Sequence, residues 1–276
     1  MAARDGGMLN VAILGTGRMG RELAAALAGR RDARLAAAWL HRDERPAWLP
    51  PAVLATTDLD AVLGAADVAV DFTLPAATPE VLDAVARTAT PLVCGVTGQG
   101  GEVADHVRET AARVPLLFDR NMSYGIAVMK ELAACAAKRL GVEFAVEIHE
   151  KHHVHKKDAP SGTALALGEA VAEARGVAFA EVYRYPPQGA GAGGPGELLF
   201  RVEREGEVAG EHRVVFDSSA ERLVLVHAVT DRRVFAEGAL KAAAWLVRQP
   251  PGHYRMANVL RPGHPGGGGT GPGSVK

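Results

Sequence analysis

Four of the ten histidines in this chain fall within seven residues: His149, His152, His153 and His155. Lys156, Lys157 and Asp158 follow at once, and then Pro160-Ser161-Gly162-Thr163. Imidazole is the side chain that exchanges a proton near neutral pH, so the cluster invites acid–base chemistry. A metal centre is one reading, but the segment lacks a recognised zinc-ligand spacing and two lysines would repel a cation. The expectation is therefore no metal. A solvated charged loop is a second reading. The third is a catalytic anion site, in which a histidine donates a proton and Lys156 and Lys157 attract carboxylate. Pro160 to Thr163 then starts a helix, with Ser161 or Thr163 as cap and the first N–H groups open to an anion. A cationic pair beside a helix start suits a substrate with two carboxylates.

A second chemical motif lies near the N-terminus. Gly15-Thr16-Gly17-Arg18-Met19-Gly20 is a G-x-G-x-x-G loop between an apolar run, Leu9 to Leu14, and a helix-forming stretch, Met19 to Ala28. The first glycine permits a tight turn, the second lets a pyrophosphate reach the backbone, and the third lets helix and strand approach. The pattern points to a dinucleotide; a plain strand–helix turn is the alternative. Folds that select NAD place Asp or Glu about 20 residues further on. Leu40-His41-Arg42 stands there instead. Arg42, with His41 beside it, suits a 2′-phosphate, whereas the competing reading gives the ribose to Asp43 or Glu44. The expectation is use of either NADPH or NADH with a modest preference for NADPH. Asp71-Phe72-Thr73 and Gly95-Val96-Thr97-Gly98 end two further apolar runs, where ligands bind in sheets of this type.

These motifs need a scaffold. Short apolar runs at Leu9 to Leu14, Leu35 to Leu40, Val68 to Phe72, Leu92 to Val96 and Pro115 to Phe118 alternate with helical stretches. Among the helices, Thr78 is the expected N-cap of one running to Thr88. The alternation predicts an α/β, Rossmann-type doubly wound parallel sheet. The pattern changes near Asn121. Ser123 to Leu140 reads as a long helix, with Ile126, Met129, Leu132 and Ala133 on its apolar face. Phe144 to Ile148 alternates, and a helix is expected from Thr163 to Arg175. Leu198 to Val202, Glu211 to Phe216 and Arg222 to Ala228 repeat with period two, which predicts an α+β domain on an open, mostly antiparallel mixed sheet. The expected domains are 1–122 for the dinucleotide and 123–233 for substrate and oligomerisation. A C-terminal helix, 234–262, returns to the first, and 263–276 form a disordered tail. Residues 1–7 and the glycine-rich Pro186 to Gly196 stretch read as a lead-in and a mobile loop.

Bulk properties narrow the partners. Net charge is −1, so no global basic field favours nucleic acid or anionic lipid. Apolar residues make up 48% and charged residues 23%, an ordinary globular balance. No apolar run reaches the ~18 residues of a membrane span, and the N-terminus lacks a signal-peptide core. Cys94 and Cys135 have no paired spacing and lie in apolar runs. They read as small buried side chains in a reduced, cytoplasmic protein.

The segment EKHHVHKKDAPSGTA resembles the signature of the 4-hydroxy-tetrahydrodipicolinate reductase family, also called dihydrodipicolinate reductase. Its pattern, E-x-H-H-x-x-K-x-D-x-P-S-G-T-A, is met by Glu150, His152, His153, Lys156, Asp158, Pro160, Ser161, Gly162, Thr163 and Ala164. The glycine loop, Asp71-Phe72-Thr73, Gly95 to Gly98, Asn121-Met122-Ser123 and Val234-Phe235-Ala236 match in order. The resemblance implies NAD(P)H-dependent reduction of a small cyclic dicarboxylate in lysine and diaminopimelate biosynthesis. It implies His152 as proton donor, Lys156 as its catalytic partner, and His153, Gly162 and Thr163 as carboxylate contacts. Gly95 to Thr97 and Asp119, Arg120, Asn121 and Met122 become cofactor contacts, and the assembly a homotetramer built through the second domain. The chain departs from the family at Leu40-His41, where an acid is frequent, and at Asp119-Arg120, where small residues are. Another two-domain dehydrogenase acting on an amino or imino dicarboxylate, and a non-catalytic dinucleotide sensor, are the alternatives.

Overall fold

The computed structural model describes residues 7–98, 103–185 and 196–260. The expected lead-in, glycine-rich loop and tail fall almost entirely outside these residues. The described chain divides into two compact units, one running to Asp119 and resuming at Ala236, the other spanning Arg120–Phe235.

The first unit is a seven-stranded sheet. Its strands are β1 (Leu9–Leu14), β2 (Ala33–Trp39), β3 (Leu54–Thr56), β4 (Val68–Asp71), β5 (Leu92–Cys94), β6 (Pro115–Phe118) and β12 (Gly252–Tyr254), in the spatial order β12-β6-β5-β4-β1-β2-β3. All pair in parallel. The order reverses at β1, whose two neighbours are β2 and β4, and the glycine loop leaves the end of that strand. Helices α1 (Arg18–Ala28), α2 (Leu59–Gly64), α3 (Thr78–Thr88) and α4 (Val103–Ala111) make the crossovers. Val68, Ala69 and Val70 on β4 are wholly buried, as a central parallel strand covered on both faces requires.

Two expectations for elements change in the first unit. Thr78 is not a cap: a 3₁₀ turn over Pro75–Ala77 runs straight into α3, Ala77 is already helical, and Thr78 is buried. The C-terminal segment is not one helix. It forms a helix over Arg233–Leu246, then β12, then a short helix over Met256–Leu260, because Pro250-Pro251 cannot continue a helix. β12 extends the sheet beside β6, pairing Gly252 with Pro115. Strands as short as β3 and β12 carry too few residues for a period to register.

The second unit has five strands: β7 (Ala145–His152), β8 (Tyr183–Arg184), β9 (Leu198–Arg204), β10 (Gly210–Asp217) and β11 (Arg222–Val229), in the order β11-β10-β7-β9-β8. The sheet is mixed in equal parts rather than mostly antiparallel. β10 runs antiparallel to β11 and β7, while β9 runs parallel to β7 and β8. Two helices, α5 (Tyr124–Leu140) and α6 (Gly162–Arg175), share one core with the sheet, in which Ile126, Met129, Leu167 and Val171 meet Ile148, Phe200 and Phe216. Ser123 caps α5 and Ser161 caps α6 through their hydroxyls. Gly168 in α6 is where Phe200 comes closest, since a Cβ there would lie 2.6 Å from its ring. Leu132 is exposed, because the buried stripe of α5 runs through Ile126, Met129, Ala133 and Ala137. Cys135 lies off that stripe and is exposed too, whereas Cys94 is buried in β5.

Candidate functional site

The histidine segment is half strand and half loop. β7 continues through His152, and its side chains alternate strictly between buried and partly exposed. Period two therefore sorts the histidines. Glu150 and His152 face the interior with Val146 and Ile148. His149 points to the other face, where it donates to Glu147 at 2.9 Å. His153, just past the strand, is buried, and His155 is exposed beside Glu207.

Register brings a further group inward. On β10, Gly210, His212, Val214 and Phe216 are the buried phase, and His212 pairs directly with Glu150 of β7. The His212 and His152 rings meet edge-on, with centroids 5.0 Å apart. On the other side, β9 ends at Arg204 in register with His152. Arg204 bonds Glu150 Oε1 at 3.1 Å and the carbonyls of Lys156 and Asp158, which fastens the loop after β7 to the sheet. Glu150 Oε2 accepts from the N–H of Ser161 at 3.0 Å, which anchors the start of α6.

Lys156 lies 2.9 Å from Asp158, whose carboxyl burial would raise but which the Lys156 ammonium holds below its usual range. Lys157 is exposed, so the expected pair of lysines is not equivalent. The Ser161 hydroxyl accepts from Ala164 N–H at 3.2 Å, which leaves the N–H groups of Gly162 and Thr163 as the first-turn donors without a helical acceptor. Thr163 Oγ1 also accepts from Asn121 Nδ2 at 2.9 Å, and Asn121 Oδ1 accepts from the N–H of Ser123. Arg120 pairs with Glu169, and its chain is the nearest neighbour of Gly162.

Burial, with the charges of Lys156 and Arg204, pushes His152 down to about 4. Burial, with the neighbouring imidazoles, pushes His212 to about 3. Both imidazoles are neutral at neutral pH. Glu150, His152 and His212 offer ligand atoms within 4.8 Å of one another. The site does not suit a metal cation, however, because Arg204 occupies one Glu150 oxygen and Lys156 adds positive charge.

In the first unit the three glycines have three distinct reasons. Gly15 has φ +92°, which L side chains avoid, and a Cβ there would press on Phe72 and Thr73. At Gly17, the residue before α1, a Cβ would meet nothing within 4 Å, the open approach a pyrophosphate needs. At Gly20 a Cβ would stand 2.1 Å from the Gly15 carbonyl oxygen, so helix and turn touch there. Thr16, Arg18 and Met19 complete the turn, and Arg18 is exposed. Asp71 is buried, accepts from Thr73 N–H at 2.8 Å and shapes the neighbouring turn; burial raises its carboxyl. Gly95 carries the Phe72 ring against its backbone. Val96 turns its side chain into the core while Thr97 is exposed. His41 and Arg42 are exposed after β2, as are Asp43 and Glu44. The Asp119 carboxylate accepts from the backbone N–H of Met256 at 3.0 Å, so one oxygen serves the fold. Met122 is buried.

Sequence comparison decides the family. Residues 9–122 match the family model described as dihydrodipicolinate reductase, N-terminus, and residues 125–260 match dihydrodipicolinate reductase, C-terminus. This chain belongs to the dihydrodipicolinate reductase family. The 4-hydroxy-tetrahydrodipicolinate reductase of Wolinella succinogenes is 40% identical over 247 residues, 89% of this chain and 96% of that protein. The enzyme of the same name from Campylobacter curvus is 38% identical over 255 residues, 92% and 99% of the two chains. The fold matches the structure of dipicolinate-bound dihydrodipicolinate reductase from Paenisporosarcina sp. TG-14. Its TM-score is 0.72 at 24% identity, covering 92% of this chain and all of that one.

Two groups of this candidate site were not anticipated. His212 and Arg204 come from strands read only as scaffold. His212 had a legible signal, an ionisable residue in the core-facing phase of an alternating strand with Val214 and Phe216. Arg204 had none, because its meaning comes from which strand lies beside β7.

The two depressed histidines link stability to pH. Unfolded imidazoles titrate at 6.5, but the folded state resists protonation until about 4 for His152 and about 3 for His212. The unfolded chain therefore binds more protons below 6.5, and stability falls from there toward the folded values. Unfolding midpoints measured across that range should drop more steeply for the wild type than for His212→Gln. Equal slopes would show that His212 is not held neutral by the fold.

Proposed function

We propose that this chain, an NAD(P)H-dependent oxidoreductase of lysine and diaminopimelate biosynthesis, reduces 4-hydroxy-tetrahydrodipicolinate to tetrahydrodipicolinate with the histidine segment as its catalytic site. One observation carries the assignment of roles: buried His152 stands among Lys156, Arg204 and the open first turn of α6, a cationic surrounding that suits a dicarboxylate. The two compact units serve as the dinucleotide-binding and the substrate-binding domains.

The glycine loop fits a dinucleotide, and Gly15 to Gly20, Gly95 to Thr97 and the 119–122 segment would hold it. The 4-hydroxyl leaves as water, and the reduced nicotinamide would supply hydride to the conjugated ring that this loss creates. Lys156 and His153 bind one carboxylate. The N–H groups of Gly162 and Thr163 bind the other, helped by the charge of a helix start. Lys156 also orients the ring nitrogen side toward His152. His152 then delivers the proton that balances the hydride. Because its free imidazole is neutral, it takes that proton as the dianion binds, for negative charge nearby favours the imidazolium.

His152→Ala should lower kcat about 10²–10⁴-fold, the usual worth of a general acid. Lys156→Ala should lower kcat and raise KM. Steady-state assays on freshly prepared substrate test both, and near-normal turnover in both variants would refute the site.

The cofactor preference is modest and toward NADPH. Arg42 is exposed after β2 and can offer a charge-assisted fork to a 2′-phosphate, worth about 10-fold or more in affinity before screening by salt. Arg42→Ala should bring kcat/KM for NADPH down toward that for NADH. An unchanged ratio would assign the ribose to Asp43 or Glu44.

The enzyme is a cytoplasmic homotetramer in this reading. Its two cysteines are unpaired, which fits a reducing compartment. Val224 and Val226, on one face of β11, are 41% and 56% exposed, and apolar exposure on a sheet face fits burial against other subunits. Light scattering at micromolar concentration should give four times the chain mass; a monomer would refute it.

A further inference from the structure

Among the described residues around His152, the carboxylate of Glu150 is the one that faces its inner nitrogen. His152 Nδ1 is buried, has no hydrogen-bond partner among the described residues, and lies 3.7 Å from Glu150 Oε2. Glu150 is itself fixed. Its side chain has no exposed surface, Arg204 holds Oε1, and the Ser161 N–H holds Oε2. Oε2 keeps a lone pair, since a carboxylate oxygen accepts more than one hydrogen bond. The other ring nitrogen faces differently. His152 Nε2 looks toward Gly210, the first residue of β10, where a Cβ would come within 3.2 Å of it. The missing side chain leaves room beside Nε2 that any other residue would fill.

We infer that Glu150 is a positioning residue for the proton donor: it holds the Nδ1–H of His152, so that Nε2 is the nitrogen that gives its proton to the substrate. This rests on His152 being the donor. In the free enzyme the neutral imidazole carries its single proton on Nδ1, directed at Glu150. When the dicarboxylate binds, Nε2 gains the second proton and Nδ1–H closes on Oε2. The proton leaving Nε2 in catalysis returns the ring to the starting tautomer, so proton count and charge balance over one cycle. A histidine's reactive nitrogen is commonly set by the hydrogen bond that its other nitrogen makes.

The remaining neighbours do not take this role. Lys156 follows on the loop after β7, and Arg204 faces His152 from β9; both oppose the imidazolium. Asp158 favours it but is engaged by Lys156. His153 adds opposition from the loop. His212 meets the ring edge-on from β10, with Nε2 3.3 Å from the Ser161 hydroxyl and 3.9 Å from Glu150 Oε2. Buried and neutral, it fills the space beside Glu150 without competing as a second cation.

The test has two arms. The first needs no variant. Nitrogen-15 spectra of histidine-labelled wild type should show His152 as the Nδ1–H tautomer when free. With pyridine-2,6-dicarboxylate and oxidised cofactor bound, both nitrogens should be protonated, with Nδ1–H far downfield. An Nε2–H tautomer in the free enzyme would overturn the proposal. The second arm is kinetic. A proton donor must be protonated, so kcat falls as pH rises through its pKa in the complex. Glu150→Gln keeps size and an acceptor for Ser161 but removes the charge. It should move that basic limb toward lower pH by about one unit, lower kcat about 10-fold or more, and change KM little. Glu150→Asp should restore part of the shift, which a packing role would not do. An unmoved limb with wild-type kcat in Glu150→Gln would overturn the positioning role even where His152→Ala is inactive. Full activity in His152→Ala would instead overturn the donor on which it rests.

Discussion

A carboxylate with no exposed surface organises the second unit of this protein. Burying a charge is costly unless every lone pair finds a donor. Glu150 meets that demand with the Arg204 guanidinium from β9 and the Ser161 N–H at the start of α6, while His152 and His212 stand within 4 Å of Oε2. Two strands and a helix start are tied at one point. The histidine loop inherits its position from the same tie, because Arg204 also binds the carbonyls of Lys156 and Asp158. Removing the carboxylate would leave a guanidinium and a helix start without their acceptor.

The arrangement also explains how one short segment supplies both charge and a neutral acid. Lys156 and Arg204 bring the positive field that a dicarboxylate requires. The same field, with burial, drives the proton off His152. Attraction for substrate and depression of the histidine are one electrostatic fact seen from two sides. In the proposed reaction the dianion that exploits the field would also relieve it, and a donor loaded by its substrate would not spend a proton on an empty site.

The first unit poses a different problem, a backbone open to phosphates. The Gly15 turn, the open space at Gly17 and the contact at Gly20 would provide it through shape. Asp71 shapes the neighbouring turn from beneath by accepting from Thr73, and Phe72 packs on Gly95. Burial and the adjacent Asp71 raise the Cys94 thiol, which suits a packing role and not a reactive one.

Local chemistry was legible in the sequence where one residue's neighbours along the chain decide its role. The glycine loop, the caps Ser123 and Ser161, the alternating strands and the His152–Lys156–Thr163 spacing are of that kind, because turn geometry, capping and strand period act over a few residues. The family resemblance rests on the same short spacings. Tertiary structure decided what depends on registry between strands. It set His212 opposite Glu150, brought Arg204 beside His152, left Gly210 as the gap at Nε2, and turned Asp119 to Met256. It also made β7 run parallel to β9 and antiparallel to β10, which no period within a strand encodes. The strand alternation of Ala145–His152 separates His149 from His152 once the strand's end is known, and that end is set by pairing with β9 and β10. Sequence names the groups able to do the chemistry; hydrogen bonding between distant strands chooses which of them meet.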